Sequence, residues 1–361
     1  MIGIGIGLGF GGRSGGNAPA PPPPELTVKY EPTTASTVVG IPLQFTGNLD
    51  VDWDDGNLET LTGSGWKTHT YASAGTYIAK FDGAITQIWT AGVPGTQRNQ
   101  LTEVISWGNK PITKIWMRGS PRLVSVPTSI PATVTDLNEC FKECSIFNDP
   151  NIISWNTVNV TNFDELFSAA SVFNQDLSGW NTINVTSMQS TFENATQFNG
   201  NISGWNTSNV TSMRNLFLGA AAFNRSLASW DVSKVTTMDS MFSNAGSFNG
   251  SILTWQTTLL VNCALMFRNA STFNQPINHL DLSGCTSMLR FLNGANAFNQ
   301  PMDLLDVSTV TVMDNLFALA TVFNQDLTGW CVTNIPSEPA GFSTSSALTG
   351  ANKPVWGTCP P

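Results

Sequence analysis

The dipeptide Phe-Asn returns at Phe147, Phe173, Phe198, Phe223, Phe248, Phe273, Phe298 and Phe323, first after 26 residues and then every 25. Other positions keep the same interval. Trp155, Trp180, Trp205, Trp230, Trp255 and Trp330 share one register, with Leu280 and Leu305 in the remaining coils; Phe141, Phe167, Phe192, Phe217, Phe242, Phe267 and Phe317 share another. Small residues hold a third, from Cys144 through Ala170, Ala195, Ala220, Ala245, Ala270 and Ala295 to Ala320. Such self-similarity specifies a solenoid: one short coil cannot bury its own apolar face, whereas stacked coils set like positions over one another, about 4.8 Å apart, and share a core.

The buried columns can be read off the register. Leu177, Ile202, Leu227, Ile252, Ile277, Met302 and Leu327 form one, and Met188, Met213, Met238, Cys263, Met288 and Met313 another. Trp180, Trp205, Trp230 and Trp255 form an aromatic core column. Each ring buries on the order of 150–250 Å², a gross gain of several kcal/mol at about 25 cal/mol/Å². The residues after each Phe (Asn174, Asn199, Asn224, Asn249, Asn274, Asn299 and Asn324) are expected to form an interior ladder bonding neighbouring coils. Within a coil we expect a short helical turn at 188–195, a strand at 176–180 and a second strand near 184–188, the strands stacking in parallel.

Composition narrows the class. With 361 residues, 41% hydrophobic and only 11% charged, the chain can bury a large core and is not a disordered polymer. Its net charge of −9, without a clustered basic surface, argues against nucleic acid as a partner. No stretch approaches the roughly 20 apolar residues of a membrane span.

Residues 1–24 are a Gly/Pro-rich arm in which Ile2, Ile4, Ile6, Leu8 and Phe10 alternate with Gly. That alternation puts every apolar side chain on one face of an extended strand, which predicts an anchor docked on a partner or another subunit. The opening lacks the basic start and cleavage site of a signal peptide. From 25 to 83 the chain reads as strands and turns: an Asp-Gly turn at Asp55-Gly56 and a second strand pair around Ala74-Gly75. Asp50, Asp52, Asp54 and Asp55 read as a solvated hairpin turn rather than a calcium loop, since the glycine and distal Glu of an EF-hand are missing. The β-branched runs at 85–89, 101–107, 112–117 and 123–127 read as degenerate turns of the repeat, placing the boundary at 83/84.

The combination Trp53-Asp54-Asp55-Gly56, His69-Thr70-Tyr71 and Gly75-Thr76-Tyr77 resembles the polycystic-kidney-disease-type domain, which implies an immunoglobulin-like β-sandwich over about sixty residues. "FNQDLSGW" at 173–180, "FNQDLTGW" at 323–330 and "VTTMDSMFSNAGSFNG" at 235–250 resemble the BspA-like leucine-rich repeat family. Residues 84–330 are then a BspA-like solenoid, regular from about 134, with the coil at 276–305 departing through its lost Trp and Cys285. The fold class is a mainly β repeat solenoid with short helical turns, leucine-rich-repeat-like, behind the Ig-like domain. The resemblance implies adhesion or scaffolding and no catalysis.

Six cysteines raise the question of a metal site. Cys144 lies in the small-residue column, Cys140 aligns with Leu166, Cys263 replaces Met and Cys285 replaces Val, so these four read as packed thiols. Cys331 and Cys359 bracket the non-repeating tail 331–361, where a disulfide would fasten a cap over the last coil. With only His69 and His279 and no recurring carboxylate pair, no catalytic arrangement, metal site or cofactor is expected. The sequon letters at Asn159, Asn184 and Asn209 are letters the repeat itself demands. The expectation is a non-enzymatic virion protein of a phage (tail fibre, head fibre or decoration protein), anchored to other virion proteins by its arm, homo-oligomeric or part of a larger assembly, and presenting the solenoid to a host-surface glycan or protein. A bacterial surface adhesin is the alternative, and a polysaccharide-active enzyme a third.

Overall fold

The computed structural model describes residues 25–89 and 100–361. The anchoring expectation for residues 1–24 lies outside them. Seven strands come first: β1 (Leu26–Tyr30), β2 (Thr37–Asp52), β3 (Leu58–Thr62), β4 (Gly65–Tyr71), β5 (Tyr77–Trp89), β6 (Leu101–Ser106) and β7 (Lys114–Trp116). They make one open, mainly antiparallel sheet in the order β3-β2-β5-β1-β6, with β4 also on β2 and β7 on β5.

The two long strands bend where they lack side chains. Around Gly47 (φ 76°) β2 carries extra residues against β5, so that Thr46 faces Ala84 but Asp50 faces Asp82. A Cβ on Gly83 would stand 2.9 Å from the Asn48 carbonyl oxygen. Beyond the bend β2 pairs with β3, and before it with β4. Leu49, Trp53, Tyr71 and Phe81 are each buried, and the Tyr71 hydroxyl donates to the Trp53 carbonyl at 2.9 Å.

Two sequence expectations need correction here. The strands flanking Ala74-Gly75 do not pair with each other: β4 lies on β2, and β5 crosses to β1 and β2. The boundary at 83/84 cuts through β5, which continues to Trp89, while β6 at 101–106 pairs with β1. The sheet needs both, because the first coils build on them: residues 124–125 pair with β6, where the Val104 amide donates to Ser125 and the Val124 amide to Thr102, and β7 builds on the second half of β5. There Gln87, Ile88 and Trp89 pair in parallel with Lys114, Ile115 and Trp116 of β7.

From that edge a parallel series of single bridges runs Lys114, Asp136, Asn162, Ser187, Ser212, Thr237 and Asn262. Regular elements are otherwise sparse: the helical elements among the described residues are two short 3-10 turns, Pro150–Ser154 and Gly350–Asn352. The expected strand at 176–180 is a turn, in which Trp180 donates to the Leu177 carbonyl at 3.0 Å and only Leu177 reaches the next coil. The expected helical turn at 188–195 is a run of β-turns. Thr191, Glu193 and Ala195 donate backward to Met188, Ser190 and Phe192, while Ser190, Phe192 and Asn194 donate to Arg214, Leu216 and Leu218 of the following coil. Ser190 (φ 53°) and Asn194 (φ 55°) are left-handed. A helix would aim all its amides along its own axis; the left-handed residues turn alternate amides toward the neighbour, so the coils bond to each other.

Coils at this separation leave little room in the backbone. Gly200 is buried, and a Cβ there would collide with the Gln175 carbonyl oxygen of the preceding coil. Gly200→Ala is therefore expected to destabilise by about 1–3 kcal/mol, the usual cost of overpacking, read as a lower urea midpoint with an unchanged slope. Gly329→Ala, whose Cβ meets nothing within 4 Å, is the control expected to leave the midpoint in place.

Candidate functional site: the columns and faces of the coil stack

Indole rings occupy the centre of the stack. Trp155 and Trp180 are parallel at 6.2 Å, Trp180 and Trp205 at 6.3 Å, and Trp205 and Trp230 at 6.4 Å, with interplanar angles of 6° or less. Each ring is also hydrogen-bonded. Nε1 of Trp180, Trp205, Trp230, Trp255 and Trp330 donates to the carbonyl 28 residues earlier, that of Ile152, Leu177, Ile202, Leu227 and Met302, at 2.8–3.1 Å. A buried carbonyl is costly to leave bare. Where Leu280 replaces the Trp, the neighbouring His279 reaches in, its Nε2 3.0 Å from the Ile252 carbonyl oxygen. That accounts for the histidine of the departing coil.

The asparagines after Phe do line up, but at the surface and not in the interior. Phe points inward, so the next side chain along the chain points out. Asn174 Oδ1 accepts from the Asn199 amide at 2.7 Å, Asn199 from Asn224 at 3.0 Å, Asn224 from Asn249 at 2.8 Å and Asn249 from Asn274 at 2.9 Å. Asn274 and Asn299 continue the file to Asn299 and Asn324, and Asn324 accepts from Thr349 of the tail. Each amide side chain thus completes the backbone bonding of the coil that follows.

A second file was not identified from the sequence. The amides of Thr186, Thr211 and Thr236 donate to the carbonyls of Thr161, Thr186 and Thr211 at 2.9–3.0 Å, and their hydroxyls follow at 3.2–3.3 Å. Its first rung is Thr86 of β5, which accepts from Thr113 at 2.8 Å. The signal was the recurrence of Val-Thr in this register, broken only at Leu260-Val261 and Cys285-Thr286 of the regular coils. The sequon asparagines serve the same face: Asn184 and Asn209 donate to the carbonyls of Val158 and Ile183.

The tail 331–361 continues the stack as an atypical last coil. The amides of Asn315, Phe317 and Leu319 donate to Ala340, Phe342 and Thr344, and Phe342 is buried edge-on against Phe317 and Trp356. Cys331 and Cys359 are joined by a disulfide, while Cys140, Cys144, Cys263 and Cys285 are buried thiols. Burial pushes the Cys140 thiol up, so it stays protonated and unreactive.

In the sheet, His69 lies flat on Trp53 at 4.7 Å with Nε2 2.7 Å from Asp55 Oδ2. The acidic turn is internally bonded: Asp52 accepts from the Asp54 amide, Asp54 from Ile78, Asp55 from Asn57 and Asp50 from Thr60. Among the described residues no group of three or more His, Cys, Asp or Glu is placed to hold a metal ion, and no helix is long and apolar enough to cross a membrane. One polar hollow of about 380 Å³ opens across the early coils, lined by Asn138, Asp164, Glu165, Gln189, Ser190, Arg214 and Asn215. Its carboxylate, amide and guanidinium groups can exchange hydrogen bonds with a hydroxyl-rich ligand.

Several carboxylates cap turns. Hydrogen bonds from the side chain and amide of Ser178 hold Asp176 below its ordinary value, as Ser233 does for Asp231, Ser308 for Asp306 and Thr328 for Asp326. Asp239, half-buried, is pushed the other way by desolvation, against the pull of Arg214. A carboxyl depressed in the fold contributes stability above its unfolded value near 3.8, lost as pH falls through the folded value. The thermal midpoint is thus expected to be level above about pH 5 and to drop below about pH 4. Asp231→Asn should shallow that drop by slightly lowering the neutral-pH midpoint: the amide keeps the turn capped, as Asn206 does one coil earlier, but loses the charge whose stabilisation the acid drop reads.

These features define a mainly β tandem-repeat protein with a hydrogen-bonded spine. The chain belongs to the family described as Mycoplasma protein of unknown function, DUF285, whose model matches residues 129–225, 196–301 and 276–356. The three tandem matches agree with the resemblance to BspA-like repeats. No curated protein and no solved structure matches the chain.

Proposed function

We propose that the chain is a leucine-rich-repeat-like solenoid behind an Ig-like domain of the polycystic-kidney-disease type, and that it serves as a non-enzymatic contact protein of a phage particle. In this reading residues 1–24 anchor it, the sheet starts the stack, and the coils present a stiff polar surface to a host glycan or protein. The observation that carries it is the use of polar groups: Asn, Thr and indole files consume their hydrogen bonds in coil-to-coil contacts, leaving side chains such as Gln189 free to vary as a recognition surface. The irregularity at Gly47, across which β2 exchanges β4 for β3 as a partner, supports the Ig-like reading.

Two measurements test this. Mass spectrometry of purified particles from a lysate is expected to find the protein in stoichiometric amount; its recovery only with host cell envelopes would replace this reading with a bacterial adhesin. Purified protein should bind host cells or their extracted surface polysaccharide, and Gln189→Ala should weaken that binding with no change in the thermal midpoint. Turnover of the polysaccharide by wild-type protein would overturn the non-enzymatic role.

A further inference from the structure

The inner ladder is interrupted at one joint of the regular stack. Elsewhere each joint carries an amide bond between threonine-register residues: Thr211 to Thr186 at 3.0 Å, Thr236 to Thr211 at 2.9 Å, Val261 to Thr236 at 2.9 Å and Thr311 to Thr286 at 2.8 Å. Each also carries a bond from the Met register to the following coil, as Met213 to Thr237, Met238 to Asn262 and Met288 to Val312. Bridges pair Thr237 with Asn262 and Ser287 with Val312. Between residues 261–263 and 285–287 none of these is formed, although the outer rungs of the same joint persist, Leu265 to Leu289 and Phe267 to Phe291 at 2.9 Å.

Two thiols occupy the gap. Cys263 Sγ stands 3.6 Å from the Ser287 carbonyl oxygen, where a Met-register amide would otherwise donate, and Cys285 Sγ stands 3.6 Å from that of Leu260. Both are fully buried. Gly284 permits the close approach, since a Cβ there would lie 2.6 Å from the Leu260 oxygen. Interaction with Cys285, together with burial, pushes the Cys263 thiol up. The two residues come from adjacent coils, so a bond between them would span the joint that lacks its inner rungs.

We infer that Cys263 and Cys285 are the two halves of a second disulfide, formed when the protein meets an oxidising environment, which clamps this joint of the stack. The Cys331–Cys359 bridge already requires such an environment. The oxidant is a low-molecular-weight disulfide. One cysteine, deprotonated as the joint opens, attacks it and expels one small thiol. The second cysteine then attacks the mixed disulfide, forms the protein S–S bond and expels the other small thiol. Two cysteine protons and two electrons end on the two small thiols.

The test starts from protein with the terminal bridge formed and the four thiols reduced. It is incubated with oxidised glutathione, then denatured, alkylated and mapped by mass spectrometry. The expected result is two alkylated thiols instead of four, a linked pair of peptides carrying Cys263 and Cys285, and a raised thermal midpoint. Cys140→Ser with Cys144→Ser should still form the link. Cys285→Val, which restores the residue this column carries at Val185, Val210, Val235 and Val310, should abolish it while preserving the fold. Before oxidation, the Thr286 amide should exchange at least about tenfold faster than that of Thr311, a difference the added bond should narrow. Four alkylated thiols after treatment, a link confined to Cys140 and Cys144, or a stable glutathione adduct on Cys263 or Cys285 without the link would overturn the inference.

Discussion

Trp205→Ala is expected to cost about 3–5 kcal/mol, the range for removing a large buried aromatic. The ring stacks at 6.3 Å on Trp180 and 6.4 Å on Trp230, and its Nε1 is 3.0 Å from the Leu177 carbonyl oxygen. The substitution leaves a cavity between two coils and strips a buried carbonyl of its donor, and both effects act in the same direction. In a repeat stack the damage is local in structure but not in consequence, because each coil is stable only against its neighbours. A denaturant titration should therefore show an intermediate in which one side of the break unfolds first. Trp205→Leu should be milder, since Leu280 and Leu305 occupy the same column. Adding Gly204→His, which places an imidazole where His279 sits in its own coil, should recover about 1 kcal/mol by supplying the missing donor. If Trp205→Ala unfolds at the wild-type midpoint, the shared aromatic spine is not what holds the coils together.

Cys359→Ser should be nearly as severe. Removing a bridge between residues 28 apart restores loop entropy to the unfolded chain worth roughly 3–4 kcal/mol in the chain-entropy treatment. The loss falls on the cap, whose carbonyls at Ala340, Phe342 and Thr344 accept the last amides of the regular stack. Hydrogen exchange should accordingly quicken first at Asn315, Phe317 and Leu319, with Phe217 and Phe242 protected until global unfolding. Cys331→Ser should give the same shift, and reduction of wild-type protein should reproduce it. Quickening first at the β1–β6 end would mean that the cap is not the fraying end.

How much of this was legible depended on which force fixed each feature. The Trp, Phe, Met and small-residue columns were read correctly in register because burial is a matter of side-chain type and spacing, and a constant interval leaves one arrangement that buries all of them. The packed thiols followed by the same logic. The backbone path between the columns was not readable. Turns and strands of five residues carry no distinguishing period, and the left-handed positions fall on Ser190, Asn194, Leu265 and Leu319 alike, so residue type did not mark them. The asparagine ladder was expected inside because amides in a constant register suggested buried partners; the partner is an amide of the next coil, reached from outside.

By itself the sequence determined the repeat and the register of its Trp, Phe, Met and small-residue columns, since each follows from hydrophobic burial at one fixed spacing. Only the tertiary structure decided where the stack begins. The second half of β5 serves two assemblies at once, the antiparallel sheet and the first parallel rung through Thr86 and Thr113. No local pattern encodes that, because an edge is a property of what a strand lies beside and not of the residues in it. The broken joint at Cys263 and Cys285 is of the same kind: two ordinary substitutions 22 residues apart, brought together when the coils stack.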